Sequence, residues 1–497
     1  MDFSTKQSHS FWTSTVEVPS YPTLSESRET DVTIVGGGIS GILTAFLAAK
    51  AGLSVILLEA RDLVSGTTGG TSAKLTAQHH LIYGDLLNKY GIELAKLYYQ
   101  ANKEGLHFIE SLVKKYDIDC DFEKMDAYVY AQTKDESNQL EKEAEAYIKL
   151  SINGELKKDC PFDWDIDSAL VMKDQAQFHP VKFSLAMLKE IKQLGGRIYQ
   201  NTVVTELKKE GDCIQLTTNS GYTVTCKHTV FATLFPTYDP DSFYADHLQP
   251  VTSHLLALRY PQEFPGGMYI SVDPAVRSIR HTKESNEEYL LIGGETHKTG
   301  DQHSTFDRYQ QLAEFAAQKF NASEVCAYWS EHDLVTEDRI PLIGVLTSEE
   351  ENIYTITGLN KWGLTNAAVG ANLICDLITK QENRYEDVFA PNRVQKKADK
   401  ERQEQASSLQ SKAVHLKNNQ ATTIEIGDQQ IGLFKDQKGD IHYLDLKTCT
   451  HLGCGVHWND GDQTWDCPCH GSIFSPTGKV VAGPALKDLD SVNPQDL

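Results

Sequence analysis

The 497-residue sequence predicts an α/β protein that carries a small all-β domain at its C-terminal end. Three observations predict this architecture. A strand, a glycine-rich turn, a helix and a second strand follow one another over residues 31–59. Short segments with period-two alternation begin near residue 413, and cysteine and histidine cluster within residues 449–472. The first feature is typical of a nucleotide-binding α/β sheet, and the other two indicate a small antiparallel module with a metal site.

The N-terminal unit has the full context of a dinucleotide-binding turn. Residues 31–35 form an apolar strand that leads into a G-x-G-x-x-G motif, and residues 53–58 form a second apolar strand that ends at Glu59. The glycines allow a pyrophosphate to approach the start of the intervening helix, and an acidic residue at this distance can bond a ribose hydroxyl. A structural turn with chance glycines is the alternative, which the complete βαβ context disfavours. The glycines of the motif are Gly36, Gly38 and Gly41.

Two segments near the C-terminus combine cysteine and histidine at ligand spacing: Cys449-Thr-His451-Leu-Gly-Cys454 and Cys467-Pro-Cys469-His470-Gly-Ser472. Two thiolates can hold one ferric iron while two imidazoles hold the other, and such clusters have potentials of roughly −150 to +300 mV. We assign Cys449 and Cys467 to one iron, and His451 and His470 to the other. A tetrahedral zinc site is the alternative, because zinc also accepts mixed cysteine and histidine ligands.

These segments and the following residues 478–485 resemble the Rieske domain of cytochrome bc complexes over about 85 residues. The resemblance implies a [2Fe–2S] cluster rather than zinc. It also implies a disulfide between Cys454 and Cys469, and a hydrogen bond from Ser472 toward the cluster. Phe474 stands where the respiratory proteins have a tyrosine that bonds a ligand sulfur. We therefore predict a lower potential than in those proteins.

Residues 65–76 resemble the segment that passes along the flavin in the D-amino-acid oxidase and glycine oxidase family. Thr68 and Thr71 replace the usual serine and asparagine. The resemblance extends over about residues 28–390 and implies an FAD-binding Rossmann-type fold with an interleaved α+β substrate domain. It places Val204 at the adenine. It also places a helix start at Gly363 and Leu364, whose free amides would stabilise negative charge on the flavin.

The resemblances divide the chain into four parts. An N-terminal extension covers residues 1–27, and the FAD-dependent oxidoreductase covers residues 28–390. A polar linker or exposed helix at residues 391–411 leads to the Rieske domain at residues 412–497. Within the oxidoreductase, FAD binding is assigned to about residues 28–80, 170–240 and 330–380, and substrate binding to about residues 81–169 and 241–329.

Candidate substrate residues come from the resemblance and from the predicted strands. In the resembled family an arginine on a sheet facing the flavin binds the substrate carboxylate, a task that suits its bidentate geometry. Predicted strands here carry Tyr269, Arg280 and His281, which are the candidates. Each has the alternative of an ordinary core or solvated residue. Arg339 is a second arginine candidate, and one of the adjacent His79 and His80 is a candidate for lining the site.

The family's chemistry is hydride removal from a carbon that bears an amine. An attached one-electron cluster indicates an external acceptor, with His451 and His470 at the surface handing electrons outward. The alternative is a redox sensor or electron-relay protein in which the cluster delivers electrons to the flavin. We see no second nucleotide motif for NAD(P)H. We also see no two-histidine, one-carboxylate iron site such as ring-hydroxylating oxygenases need.

The amino-acid composition limits the classes of binding partner that we expect for this protein. The chain has 47 Lys and Arg against 69 Asp and Glu, a formal net charge of −22, which disfavours nucleic acid and anionic membranes. The apolar run at residues 32–58 is interrupted by glycine, serine and lysine, so we predict no membrane span. The polar residues 1–30 show no export signal, which predicts a cytoplasmic protein. The expected partners are a small amine or amino-acid-like substrate and an external redox partner.

Overall fold

The structure is a computed structural model that describes residues 9–162, 164, 166–301, 303–347, 350–394, 416–426 and 429–493. The first eight residues of the predicted N-terminal extension lie outside the described residues. So do residues 395–411 of the predicted linker.

The helices and strands alternate along the first four-fifths of the chain and give way to strands alone. The helices are α1 (Phe11–Ser14), α2 (Ile39–Lys50), α3 (Thr67–Gly70), α4 (Tyr83–Lys115), α5 (Lys134–Leu150), α6 (Pro180–Gln193), α7 (Phe243–His247), α8 (Thr305–Phe320), α9 (Gly363–Ile378) and α10 (Glu386–Phe389), followed by a 3₁₀ turn at Pro391–Arg393. The strands are β1 (Arg28–Val35), β2 (Val55–Leu58), β3 (Lys74–Leu75), β4 (Glu123–Ala131), β5 (Gly154–Lys157), β6 (Ser168–Gln177), β7 (Arg197–Tyr199), β8 (Val204–Glu210), β9 (Cys213–Thr218), β10 (Thr223–Phe231), β11 (Leu248–Arg259), β12 (Met268–Ser271), β13 (Arg277–Glu284), β14 (Glu287–Lys298), β15 (Val325–Thr336), β16 (Leu342–Val345), β17 (Ile353–Thr357), β18 (Gln420–Ile426), β19 (Gln429–Lys435), β20 (Ile441–Asp445), β21 (His457–Asn459), β22 (Thr464–Asp466), β23 (Ile473–Phe474) and β24 (Val480–Ala482).

The first sheet is the predicted nucleotide-binding unit. Its strand order is β16-β17-β10-β1-β2-β7, with β9 and β8 added beside β10. Strand β1 pairs in parallel with both β2 and β10. Because the carboxyl ends of these parallel strands meet at one edge, the glycine motif after β1 lies at the position where such sheets bind ligands.

The second sheet has the order β15-β11-β14-β13-β12-β4-β6-β3, with β5 beside β6. Helix α8 packs on its outer face against an aromatic core that includes Tyr128 and Phe320. Its inner face, with Val129, Leu255 and Trp329, joins the core of the first sheet. The two sheets alternate along the chain, as predicted for a nucleotide fold interleaved with a second α+β unit.

The C-terminal module consists of two antiparallel sheets, β18-β19-β20 and β21-β22-β23-β24. Its core is small and is built around Leu446, Trp465 and Phe474 together with Cys449 and Cys467. The predicted all-β module is therefore confirmed. None of the described helices has both the length and the hydropathy of a transmembrane segment.

Candidate active site

The glycine motif forms a cradle at the start of α2. The N-cap residue Gly38 supplies no side-chain hydrogen bond, so the first amides of the helix point toward the sheet edge. A Cβ atom at Gly41 would lie 1.9 Å from the carbonyl oxygen of Gly36, so only glycine permits this close turn. The Glu59 carboxylate accepts hydrogen bonds from the backbone amides of Gly37 (2.6 Å) and Arg61 (2.9 Å). These contacts hold the acidic side chain beside the cradle.

The loop that contains α3 covers the same edge. The Thr68 Oγ1 atom accepts a 2.9 Å hydrogen bond from the amide of Ile39 at the first position of α2. Two indoles fix the loop from outside: Trp12 Nε1 donates to the carbonyl oxygen of Thr71 (2.6 Å), and Trp329 Nε1 donates to that of Gly70 (2.7 Å). The loop therefore has a set shape across the cradle.

The start of α9 presents free amides next to this loop. The N-cap residue Trp362 makes no side-chain hydrogen bond to the helix, and its ring stacks on His79 at a centroid distance of 5.0 Å. Burial lowers the pKa of His79 to about 3, so its imidazole is neutral. The positive end of α9, which begins at Gly363 and Leu364, thus faces segment 76–79 without a competing cation from His79.

The two cysteine and histidine segments converge in the C-terminal module. Cys449 and Cys467 are buried, and the Nδ1 atoms of His451 and His470 lie 3.3 Å apart. A hydrogen bond from Cys467 lowers the pKa of the Cys449 thiol to about 6, and burial lowers the pKa of His451 to about 4. The same hydrogen bond raises the pKa of the Cys467 thiol above its usual range, so the shifts favour a thiolate at Cys449 and a neutral imidazole at His451, which are forms that bind metal.

Two further contacts join the segments. Cys454 and Cys469 form a disulfide, the pairing that the resemblance implies. The Ser472 Oγ atom accepts a 3.0 Å hydrogen bond from the amide of Ala485, which ties the second segment to the Gly483-Pro484 loop. A hydrogen bond from Ser472 also helps to lower the pKa of Cys449, so the hydroxyl lies beside a ligand sulfur.

The histidine edge of this site faces inward. The ring of Phe235 packs edge-on against His451 (5.5 Å between centroids) and His470 (5.7 Å). His470 is only 8% exposed. His470 therefore does not lie at the surface as expected, because the loop after β10 covers it, while His451 is half-buried.

Comparison with known proteins decides the family. The family described as FAD dependent oxidoreductase (DAO) matches residues 31–377, and the Rieske [2Fe-2S] domain matches residues 408–493. The chain belongs to the FAD-dependent oxidoreductase family. It is an oxidoreductase of the amino-acid oxidase type that binds FAD and, in its C-terminal Rieske domain, a [2Fe–2S] cluster. We call residues 31–377 the oxidoreductase domain and residues 408–493 the Rieske domain.

Three relatives illustrate the match. The chain is 39% identical to YhfW of Bacillus subtilis (strain 168), whose name describes a Rieske 2Fe-2S iron–sulfur protein, over 99% of both chains. It is 23% identical to the gamma-glutamylputrescine oxidoreductase of Escherichia coli (strain K12), covering 74% of this chain and 88% of that protein. The fold is similar to that of glycine oxidase from Geobacillus kaustophilus, with a TM-score of 0.62, 20% identity and coverage of 74% and 99%.

The residues present fit both cofactors. The amides at the start of α2 beyond that of Ile39, which Thr68 holds, and the uncapped start of α9 suit the negative pyrophosphate and the pyrimidine edge of FAD. Two thiols and two imidazoles fit the His2Cys2 ligand set of a Rieske cluster. Val204 is buried at the start of β8, and its contact with adenine stays a prediction.

The geometry does not support the predicted substrate residues. Tyr269 and His281 point to the outer aromatic core: the Tyr269 ring lies 4.8 Å from Tyr128, and the His281 ring lies 4.7 Å from Phe264. Both side chains are thus turned away from the inner face. The predicted roles of Tyr269 and His281 in substrate binding therefore have no support from their positions.

The Arg280 side chain lies on the inner face, where hydrogen bonds to backbone carbonyl oxygens hold it in place. Its guanidinium donates to the carbonyl oxygens of Ala73 (2.7 Å) and Phe178 (3.4 Å) and lies 5.2 Å from the Trp12 ring. Burial lowers its pKa to about 9. Arg280 thus supports the loop beneath the cradle. Arg339 pairs with Asp85 at the surface, so neither arginine is placed to hold a substrate carboxylate.

A polar recess on the inner face was missed by sequence reasoning. The Nζ atom of Lys361 donates a hydrogen bond to Thr296 Oγ1 (2.5 Å). The side chain keeps contact with solvent, and desolvation of its ammonium group lowers the pKa of Lys361 to about 8. Burial raises the pKa of Glu331 to about 8 and that of Asp333 to about 6. The alternation of β15 places Glu331 and Asp333 on the face of Trp329. Asp333 lies close enough to Lys361 for their charges to interact, whereas the Glu331 carboxylate lies against Gly70 of the α3 loop. No local motif marks these residues.

Proposed function

We propose that this protein oxidises a small amine or amino-acid-like molecule at FAD and passes the electrons through the Rieske cluster to an external acceptor. The observation that carries the proposal is the packing of both ligand histidines, His451 and His470, on Phe235 of the oxidoreductase domain. A cluster whose histidine edge contacts the flavin-binding fold is in position to exchange electrons within the chain.

FAD supplies two-electron hydride chemistry when bound, and the cluster supplies one-electron chemistry. The start of α9 stabilises negative charge at the pyrimidine edge. The neutral His79 and the indole of Trp362 form an uncharged stack beside it. The loop fixed by Trp12 and Trp329 excludes water from the other side of the cradle.

The recess supports an amine or amino-acid-like substrate. Glu331 and Asp333 are acceptors for an ammonium group, and Lys361 is a donor for a carboxylate or carbonyl. The relative named gamma-glutamylputrescine oxidoreductase and the similar fold of glycine oxidase support the same class. Glu331 and Asp333 lie on the inner face of the second sheet, and Lys361 lies near Asp333.

The external acceptor must approach a side of the cluster other than the covered histidine edge. The side chains of Leu452 and Leu486 are each 40% exposed. They flank the point where Thr450 donates to the carbonyl oxygen of Lys487. Exposed apolar side chains close to a redox centre are suited to a transient partner, so we place the exit on this side.

The test is anaerobic mixing of the holoprotein with separate pools of amines and amino acids. Flavin absorbance and the reduced-cluster EPR signal are followed together. We expect the flavin to bleach and the cluster signal to rise with a single pool. A Cys467→Ser variant, which lacks a cluster ligand, is the matched control and should bleach without a cluster signal.

Two outcomes contradict the proposal. If no pool bleaches the flavin while dithionite still reduces the cluster, substrate oxidation is not the function. If dithionite then bleaches the flavin faster in the wild type than in the cluster-free Cys467→Ser variant, electrons enter through the cluster, and the protein is a sensor or relay.

A further inference from the structure

Besides the cluster segments, the Rieske domain touches the oxidoreductase domain through residues 459–462 and through Val481, whose carbonyl oxygen accepts a hydrogen bond from Arg61. Residues 459–462 connect β21 to β22, and β22 ends one residue before the ligand Cys467. We call residues 459–462 the docking loop. Because β22 is hydrogen-bonded to both β21 and β23, a shift of the docking loop would carry the cluster with it.

The docking loop caps a helix of the other domain. Ser304 occupies the N-cap position of α8 but makes no side-chain bond to the helix. Its hydroxyl donates instead to Asp460 Oδ2 (2.8 Å), and Asp460 Oδ1 accepts from the amide of Thr305 (2.8 Å). A carboxylate at the positive end of a helix is a favourable, charge-assisted contact. The Rieske domain thus provides the cap that the sequence of α8 lacks.

A second carboxylate reaches deeper. Asp462 is surrounded by polar partners: it accepts from the hydroxyls of Tyr309 (2.9 Å) and Ser330 (2.6 Å) and from the Asn459 amide (3.1 Å). Tyr309 belongs to α8 and Ser330 to β15. One Rieske carboxylate therefore links two elements of the oxidoreductase domain, and moving it away would break its hydrogen bonds with the hydroxyls of Tyr309 and Ser330.

The surfaces also fit closely where the backbones meet. A Cβ atom at Gly461 would lie 2.3 Å from Thr305 Oγ1. Similar approaches bring Gly300 to Pro468 and Gly471 to Pro250, with added Cβ atoms 2.8 and 3.0 Å from the proline rings. Gly461 is not in the left-handed region of backbone space. Its lack of a side chain is therefore needed by the contact between the domains and not by the turn itself.

We propose that the docking loop holds the cluster in one fixed position against Phe235, so that electron transfer between flavin and cluster needs no domain movement. Asp460, Gly461 and Asp462 are positioning residues, since they touch neither cofactor site. The proposal rests on the proposed transfer of electrons within the chain. Its structural part, the fixed position of the domain, is measured independently of any electron transfer.

The first experiment measures the rate of cluster reduction after photoreduction of the flavin with EDTA and light, at increasing sucrose concentration. No substrate is required. We expect the wild-type rate to be independent of viscosity. Asp460→Ala and Gly461→Ala should slow the transfer by about tenfold, the change that a loss of 1.4 kcal/mol in docking would produce. In both variants the rate should fall further with viscosity.

The control is Asp440→Ala. Asp440 lies in the turn between β19 and β20, where its backbone pairs with Asp436, so the same loss of a carboxylate occurs in the same domain away from the contact. Iron and flavin content must be unchanged in all three variants, which shows that the fold and both cofactors are intact. A wild-type rate that falls in proportion to viscosity would overturn the proposal.

The second experiment measures the position of the domain directly. A Gd(III) chelate, which dithionite does not reduce, is attached to the exposed Cys213 of the oxidoreductase domain in a Cys326→Ser background, and pulsed EPR gives its distance to the dithionite-reduced cluster. We expect a single narrow distribution in the parent protein and a broad one in Gly461→Ala. Equal, narrow distance distributions in the parent protein and in Gly461→Ala would contradict the proposed role of the docking loop. If no electrons pass between the cofactors, the proposed function fails and this distance still decides the docking.

Discussion

The two cofactor sites of this protein are assembled in opposite ways. The four predicted cluster ligands lie between Cys449 and His470, in two loops that a disulfide joins. The flavin site draws on the cradle after β1, the loop around α3 and the start of α9, from Gly36 to Leu364. The first site is local in sequence, and the second exists only because a sheet brings distant segments together.

The difference has an energetic side. Loops of the cluster site are short and cross-linked, so little conformational entropy is lost in bringing the ligands together. The flavin site depends on parallel strand pairing and on two indoles, Trp12 and Trp329, that hold its covering loop. We therefore expect the cluster site to tolerate changes elsewhere in the chain, and the flavin site to be sensitive to them.

The largest expected effect is at the cluster. Cys467→Ser removes a ligand and should abolish the cluster while the flavin content stays at the wild-type level, because no flavin segment depends on it. Iron per chain, EPR and flavin absorbance measure this. Cys213→Ser, which changes an exposed cysteine, is the control. A joint loss of flavin would show that the two sites are not independent.

Gly41→Val tests the opposite site. The added side chain would meet the Gly36 carbonyl, and overpacking of this kind costs ~1–3 kcal/mol, or about ten- to hundredfold in FAD affinity. We expect flavin to be lost while the cluster remains. Lys50→Ala, an exposed change in the same helix, is the control, and titration of the apoprotein with FAD is the measurement. Unchanged affinity would contradict the close-turn argument.

Arg280→Met separates a structural role from a substrate role. The carbonyls of Ala73 and Phe178 would lose their donor, and each buried group left unsatisfied costs ~1–3 kcal/mol. We expect a lower free energy of unfolding with KM unchanged. Arg259→Met, which breaks only surface ion pairs, should cost about 0–1 kcal/mol. A raised KM with unchanged stability would restore the substrate role that the sequence predicts for Arg280.

Glu331→Gln tests the polar recess through pH. Burial raises the pKa of Glu331 from 4.5 to about 8, so the folded protein holds a proton that the unfolded chain releases. The contribution of this protonated carboxyl to the free energy of unfolding is fully present below pH 4.5. It is lost as pH rises toward 8, by at most about 1.4 kcal/mol per pH unit. Glutamine cannot ionise. The Tm of the variant should therefore rise relative to that of the wild type as the pH increases from 4.5 to 8. Parallel curves of Tm against pH for the variant and the wild type would contradict the raised pKa of Glu331.

Phe474→Tyr has the smallest expected effect. The new hydroxyl can supply the donor that the respiratory proteins have, and we expect the cluster potential to rise by tens of millivolts, a small part of the roughly 450 mV range of Rieske clusters. Redox titration followed by EPR measures it. Phe434→Tyr, the same change in the neighbouring sheet, is the control. An unchanged or lower potential would contradict the sequence prediction for Phe474.

Local sequence predicted what depends on local geometry. The glycine motif, the cluster segments and the period-two strands carry their structural consequences within a few residues, and the fold class followed from them. The substrate residues could not be found in this way. Tyr269 and Arg280 lie on predicted strands, but whether a strand residue faces the flavin or the outer core depends on which sheet face each domain covers. Lys361 and Asp333 come together only through the tertiary structure.

The sequence by itself determined the two cofactors, because FAD and a Rieske cluster each demand particular residues at short, fixed spacing. The tertiary structure alone decided how the two sites face each other. The contact of Phe235 with His451 and the cap that Asp460 places on α8 join segments more than 150 residues apart. Each contact depends on how two surfaces fit together, and the spacing of residues along either segment does not determine that fit.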